Sequence, residues 1–109
     1  MRIITIIILL FIGLNFHAQE KMFCQFILTN VESRDKTIEI DQYIRKQDGV
    51  YISRADIHSK KYLVIYYKDS NINQETILKW MSSLNVEFKC LHEGQYGKEK
   101  ILDLKSDCE

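Results

Sequence analysis

Tyr62-Leu63-Val64-Ile65-Tyr66-Tyr67 (YLVIYY) is a strongly β-prone run, and its neighbours fix where it belongs in a fold. Aromatic and β-branched side chains suit a pleated, half-buried surface, so the run reads as a strand. Immediately before it, His58-Ser59-Lys60-Lys61 is a polar turn, preceded by a second β-prone stretch from Val50 to Ile57. Gly49 stops a helix whose Ile40, Tyr43, Ile44 and Gln47 fall on one face. Ser33 or Asp35 caps the start of that helix, because a short side-chain oxygen satisfies free amides of the first turn. Phe23 to Val31 (FCQFILTNV) is apolar and extended in character. Downstream of the tyrosine-rich run, Asn73 caps a second helix with Ile77, Met81 and Leu84 at i, i+4 and i+7. Asn85 tolerates the left-handed conformation that ends it, and Val86 to Leu91 follows as a fourth strand. Residues 92–100 form a loop with two glycines, and Ile101 to Leu104 is a short apolar run.

The order strand, helix, strand, strand, helix, strand predicts an α+β, ferredoxin-like βαββαβ sandwich: a four-stranded antiparallel sheet with two helices on one face. Strand parity then assigns sides. Phe26, Leu28, Leu63, Ile65, Tyr67, Val86 and Phe88 are expected to face the helices, and Ile27, Ile52, Tyr62, Val64, Tyr66 and Leu91 the opposite side. The second set is unusually apolar for a face left to water. Either the C-terminal segment, with Tyr96 and Ile101 to Leu104, folds back over it or adds a strand, or the face is a partner surface. In the second case Tyr62 and Tyr66 are its aromatic anchors, flanked by Val64, Ile27 and Leu91.

Of the 109 residues, the first 18 do not read as part of this domain. Met1-Arg2, the nearly unbroken aliphatic run from Ile3 to Leu14, and Ala18 before Gln19 have the pattern of a secretory signal peptide. The run is short for a membrane span, which needs about 20 apolar residues; the alternative is an uncleaved anchor. No Cys follows it directly, which argues against a lipid-anchored form. The expected organisation is a signal peptide over 1–18, the folded domain over 19–91 and a C-terminal tail over 92–109. Localisation is expected to be exported, periplasmic or secreted, with no stable membrane span after cleavage. The 15 basic and 15 acidic residues balance, so no electrostatic footprint for nucleic acid is present. A domain of this size folds alone only marginally.

The layout resembles the heavy-metal-associated domain of copper chaperones, transport ATPases and periplasmic mercury-binding proteins. The resemblance covers roughly Phe23 to Cys90 and rests on the Gly49-Val50 step, the hydrophobic spacing before it, and Asn73 through Asn85. It implies a loop of form Gly-Met-x-Cys-x-x-Cys at the end of the first strand. That loop falls on Asn30-Val31-Glu32-Ser33-Arg34-Asp35-Lys36, so Ser33 and Lys36 stand where the family places its two metal-binding cysteines. A monovalent copper ion needs soft thiolate or thioether ligands, and neither residue supplies one.

Three cysteines remain: Cys24, Cys90 and Cys108. Cys24 begins the first strand and Cys90 ends the fourth, which are neighbours in this topology, so an oxidising compartment favours a Cys24–Cys90 disulfide. Cys90–Cys108 is the next pairing. The competing reading is a displaced copper or zinc site built from Cys24, Cys90 and His92, the last two being two residues apart on one strand. His58 reads as a solvated turn residue and Trp80 as a packing residue. Glu39, Asp41, Asp69 and Glu75 read as solubilising charge. No nucleophile–base order, phosphate loop or metalloprotease motif is present. The expectation is a non-enzymatic binding module with no cofactor, acting on an unknown protein or small ligand, with the transition-metal binder as the alternative.

Overall fold

The computed structural model describes residues 19–104. It contains β1 (Lys21–Leu28), α1 (Arg34–Arg45), β2 (Val50–Ala55), β3 (Lys61–Tyr67), α2 (Gln74–Ser83) and β4 (Phe88–Gln95). The four strands form one antiparallel sheet in the order β2-β3-β1-β4, consistent with a ferredoxin-like fold. The segment read as a signal peptide, and Cys108, lie outside the described residues.

Local chemistry sets the helix boundaries. The Ser33 hydroxyl accepts from the Lys36 amide at 3.1 Å and caps α1. Asn73 and Thr76 form a reciprocal capping box at the start of α2. Asn85 adopts φ 58 just beyond α2, where a short polar side chain tolerates the left-handed region. Ile40 and Ile44 of α1, with Ile77, Trp80 and Met81 of α2, bury against Cys24, Phe26, Leu28, Tyr62, Val64 and Tyr66 of the sheet.

That core corrects the expected parity of β3. Cys24 pairs with Val64, Phe26 with Tyr62 and Met22 with Tyr66, and directly opposed residues in an antiparallel pair project to the same face. Tyr62, Val64 and Tyr66, expected on the open side, are therefore buried beneath the helices. Leu63, Ile65 and Tyr67 take the opposite face. A strand apolar on both faces carries no alternation from which to choose. The choice falls to the phenol of Tyr62, which needs a partner once buried: its hydroxyl lies 2.7 Å from Ser53 Oγ.

Ser53 in turn donates to Asp41 Oδ1 at 3.0 Å, and the Ala55 amide donates to both Asp41 oxygens at 3.1 and 3.2 Å. One turn along α1, Arg45 donates from Nε and a terminal nitrogen to the Ser53 carbonyl at 3.1 and 2.8 Å. Asp41 and Arg45 thus satisfy backbone groups of the edge strand β2, which would otherwise offer an unpaired ladder. Asp41 is a structural acceptor, not the solubilising charge its sequence position suggested. Burial is the main influence on its carboxyl and raises its pKa. A folded-state pKa above the unfolded value means that this group's contribution to stability is fully present below the unfolded pKa. It is lost as pH rises through the folded one. Asp41→Ala strands the Ala55 amide and removes a partner of Ser53, and is expected to cost about 2–3 kcal/mol, read as a lower denaturation midpoint at unchanged m-value.

Candidate functional site on the outer face of the sheet

At the loop that the resemblance sets against a metal site, residues 30–36, two lysine ammonium groups are already engaged. Lys60 Nζ donates to the Val31 carbonyl at 2.6 Å and lies 3.5 Å from Glu32. Lys36 Nζ donates to the Leu84 carbonyl at 2.5 Å, at the end of α2, and to Glu39 at 2.6 Å. Asn30 braces the same end of the sheet: its amide donates to the Asn85 carbonyl at 2.9 Å, and its oxygen accepts from the Glu87 amide at 2.8 Å. Each ammonium is paired with a carboxylate, and neither lysine supplies the soft ligand that monovalent copper requires.

The displaced metal set is not assembled either. Cys24 points into the helix-packed core. His92 pairs with Gln25, one residue along β1, and so belongs to the opposite face. There its ring meets that of Phe23 at 5.6 Å between centroids, and its Nε2 is buried without a hydrogen-bond partner. Cys90 sits in a β-bulge with φ 64, where it and Leu91 together oppose Phe26, so the two-residue spacing to His92 no longer fixes a shared side. Leu91, expected on the outer face, packs against the inner core. Among the described residues no three His, Cys, Asp or Glu side chains are grouped to hold a metal ion. Cys24 is a free thiol, so the expected Cys24–Cys90 bridge is not formed. Burial, with Glu93 adding to it, pushes the Cys24 thiol up to about 12, which keeps it from the thiolate form that ligation requires.

The outer face has two halves. Over the first, β4 ends at Gln95 and the chain turns back through 96–99. Gly94 permits the close approach there, since a Cβ at this position would lie 3.0 Å from the Phe23 ring and collide with the Glu99 carboxylate. Residues 100–104 then cross the sheet without joining it as a strand. Gln25, nearly buried on β1, donates from Nε2 to the Leu102 carbonyl at 2.8 Å and accepts from the Leu102 amide at 2.8 Å. Lys61 pairs with Asp103, and Leu104 is buried. Phe23, Ile27 and Ile65 on this face are almost fully buried.

The second half is open. Lys21 Nζ lies 4.7 Å from the centre of the Tyr51 ring and 5.5 Å from that of Tyr67, and the two rings meet edge-on at 5.9 Å. Tyr51 is 50% exposed, Ile52 39% and Tyr96 43%. The Tyr96 amide donates to the Lys21 carbonyl at 2.9 Å, which holds Tyr96 beside this corner. The tyrosines on the open half of the outer face are thus Tyr51 and Tyr67; Tyr62 and Tyr66, expected there, lie in the core. Of the expected surface residues, Ile27 and Ile52 do lie on it. Lys21, Tyr51 and Gln25 were missed; the lone amide of Gln25 inside an apolar strand was the one available signal. Among the described residues no helix is long and apolar enough to cross a membrane. No family model matches the chain, and no curated protein matches it.

Proposed function

We propose that the protein is an exported, non-enzymatic binding module that engages a protein partner through the outer face of its sheet. The heavy-metal-associated layout is kept without the metal-binding loop. The observation that carries this reading is the exposed corner formed by Lys21, Tyr51, Ile52, Tyr67 and Tyr96. Tyrosines offer large, rigid contact area at little entropic cost and are enriched at interface centres. Ser33 and Lys36 standing where the family places its cysteines, Lys60 occupying the Val31 carbonyl of that loop, and Cys24 and His92 lying on opposite faces weigh against the copper or zinc alternative. With Cys24 free, Cys90–Cys108 is the pairing left for an oxidising compartment.

A photo-crosslinking residue placed at position 51 tests the reading in the cells that make the protein. It is expected to give a defined adduct that Tyr67→Ala weakens, while the same residue at exposed Gln42 on α1 gives none. Adducts from position 42 and none from position 51 would overturn it. Titration of the reduced chain with copper or zinc is expected to show no sub-micromolar binding. Tight binding lost on Cys90→Ser would restore the metal reading.

A further inference from the structure

The way Gln25 holds residue 102 shows what this face is built to receive. A primary amide that both donates to the carbonyl and accepts from the amide of one residue reads extended backbone, not a side chain. Gln25 sits in a strand paired on both sides, which fixes its backbone, and its side chain is 5% exposed with residue 102 in place. Cations flank it, with Lys61 on Asp103 and Arg54 on the neighbouring strand. The occupant fits loosely. Leu102 is 42% exposed, and a cleft of about 230 Å³ remains between the segment and the sheet, lined in part by Gln25, Arg54, Lys61, Leu63 and Ile101. Asp56 at the edge of this cleft is engaged in its own turn, accepting from the Ser59 hydroxyl at 2.7 Å and from the His58 and Ser59 amides.

We infer that Gln25, Lys61 and Arg54 form a receptor for an extended aliphatic–acidic–aliphatic segment of a partner protein, and that Leu102-Asp103-Leu104 is the chain's own stand-in for it. The inference rests on the binding-module reading and names the partner's chemistry. Main-chain recognition supplies affinity, the cations select a carboxylate, and apolar contacts seat the flanking side chains. The tethered stand-in competes at an effective concentration in the millimolar range, so an outside segment binds only when it displaces the tail.

The test uses the full chain as it is isolated under oxidising conditions and a synthetic peptide of residues 99–105 (Glu-Lys-Ile-Leu-Asp-Leu-Lys) as probe. The wild-type chain is expected to bind it weakly. Leu104→Ser, which loosens the tail, is expected to bind it about tenfold more tightly, and Gln25→Leu in that background to abolish binding. Asp103→Lys weakens the tail without touching a buried side chain and is expected to give the same gain, so a folding defect in Leu104→Ser does not decide the matter. A peptide carrying lysine for its aspartate is expected to lose binding. No gain in either tail variant, binding that survives Gln25→Leu, or a tail-exchanged dimer in place of peptide binding would overturn the inference. If the peptide fails while position 51 still crosslinks a partner, this inference falls and the binding-module reading stands.

Discussion

Tyr62→Ala is expected to destabilise the protein by about 3–5 kcal/mol, whereas Tyr67→Ala is expected to cost less than about 1 kcal/mol. The two residues lie five apart on β3 and differ little in sequence context, yet the sheet turns them to opposite sides. Tyr62 is fully buried, with its ring 5.0 Å from that of Phe26 and its hydroxyl 2.7 Å from Ser53. Truncation leaves a cavity among α1, β1 and β2 that close-packed neighbours cannot fill. Tyr62→Phe keeps the ring and removes the hydroxyl; Ser53 retains Asp41 as acceptor, so a loss of only about 1 kcal/mol is expected. Tyr67 rests its ring on Lys21 and Tyr51 at the surface, where contacts of this kind contribute about 0.5–1 kcal/mol. Denaturant midpoints of the three variants check the ordering. A larger loss in Tyr67→Ala than in Tyr62→Ala would place β3 in the other parity.

The second large effect is loss of stability at alkaline pH. Burial pushes the Cys24 thiol from 9.0 and the Tyr66 phenol from 10.0 up to about 12, and raises Tyr62 further. Each of these groups stays protonated in the folded chain at pH values where the unfolded chain has released the proton. The unfolded state therefore binds fewer protons, and stability falls as pH rises. Their contribution is fully present below pH 9 and is lost progressively toward pH 12. For Cys24 alone the loss by pH 11 is on the order of 2–3 kcal/mol, taking 1.36 kcal/mol per pKa unit. Thermal midpoints between pH 8 and 11 read the slope directly, and Cys24→Ala is expected to make it shallower. A midpoint that does not move over that range would mean that Cys24 and Tyr66 are solvated.

The parts of the fold that were legible in the sequence are those set by local chemistry. Ser33, the Asn73–Thr76 box and Asn85 mark helix ends through backbone groups within a few residues, and the order of elements followed from their spacing. What was not legible depends on partners distant in sequence. The run from 61 to 67 is apolar on both faces, so its parity is decided by Ser53 and Asp41 on other elements. β4 continues through His92-Glu93-Gly94-Gln95, polar residues that read as loop but pair with Met22 to Gln25. The bulge at Cys90 and Leu91 shifted Leu91 inward and removed the regular spacing on which the Cys90–His92 set relied. The expectation of an apolar outer face needing cover rested on Tyr62, Val64, Tyr66 and Leu91, which lie in the core; the face is apolar through Phe23, Ile27 and Ile65 instead, and Gln25 supplies the contact through which the tail covers part of it. Its exposed corner belongs to different tyrosines because one strand turns over.

Oxidative footprinting compares the tyrosines most directly, with the protein labelled in the compartment that holds it and again after purification. Tyr51, 50% exposed and central to the outer corner, is expected to be reactive in the purified protein and protected in its native setting, while Tyr62 and Tyr66 stay unreactive in both. Equal reactivity of Tyr51 in the two settings, or modification of Tyr62 or Tyr66 in the folded purified protein, would contradict the assignment of the outer face as the binding surface.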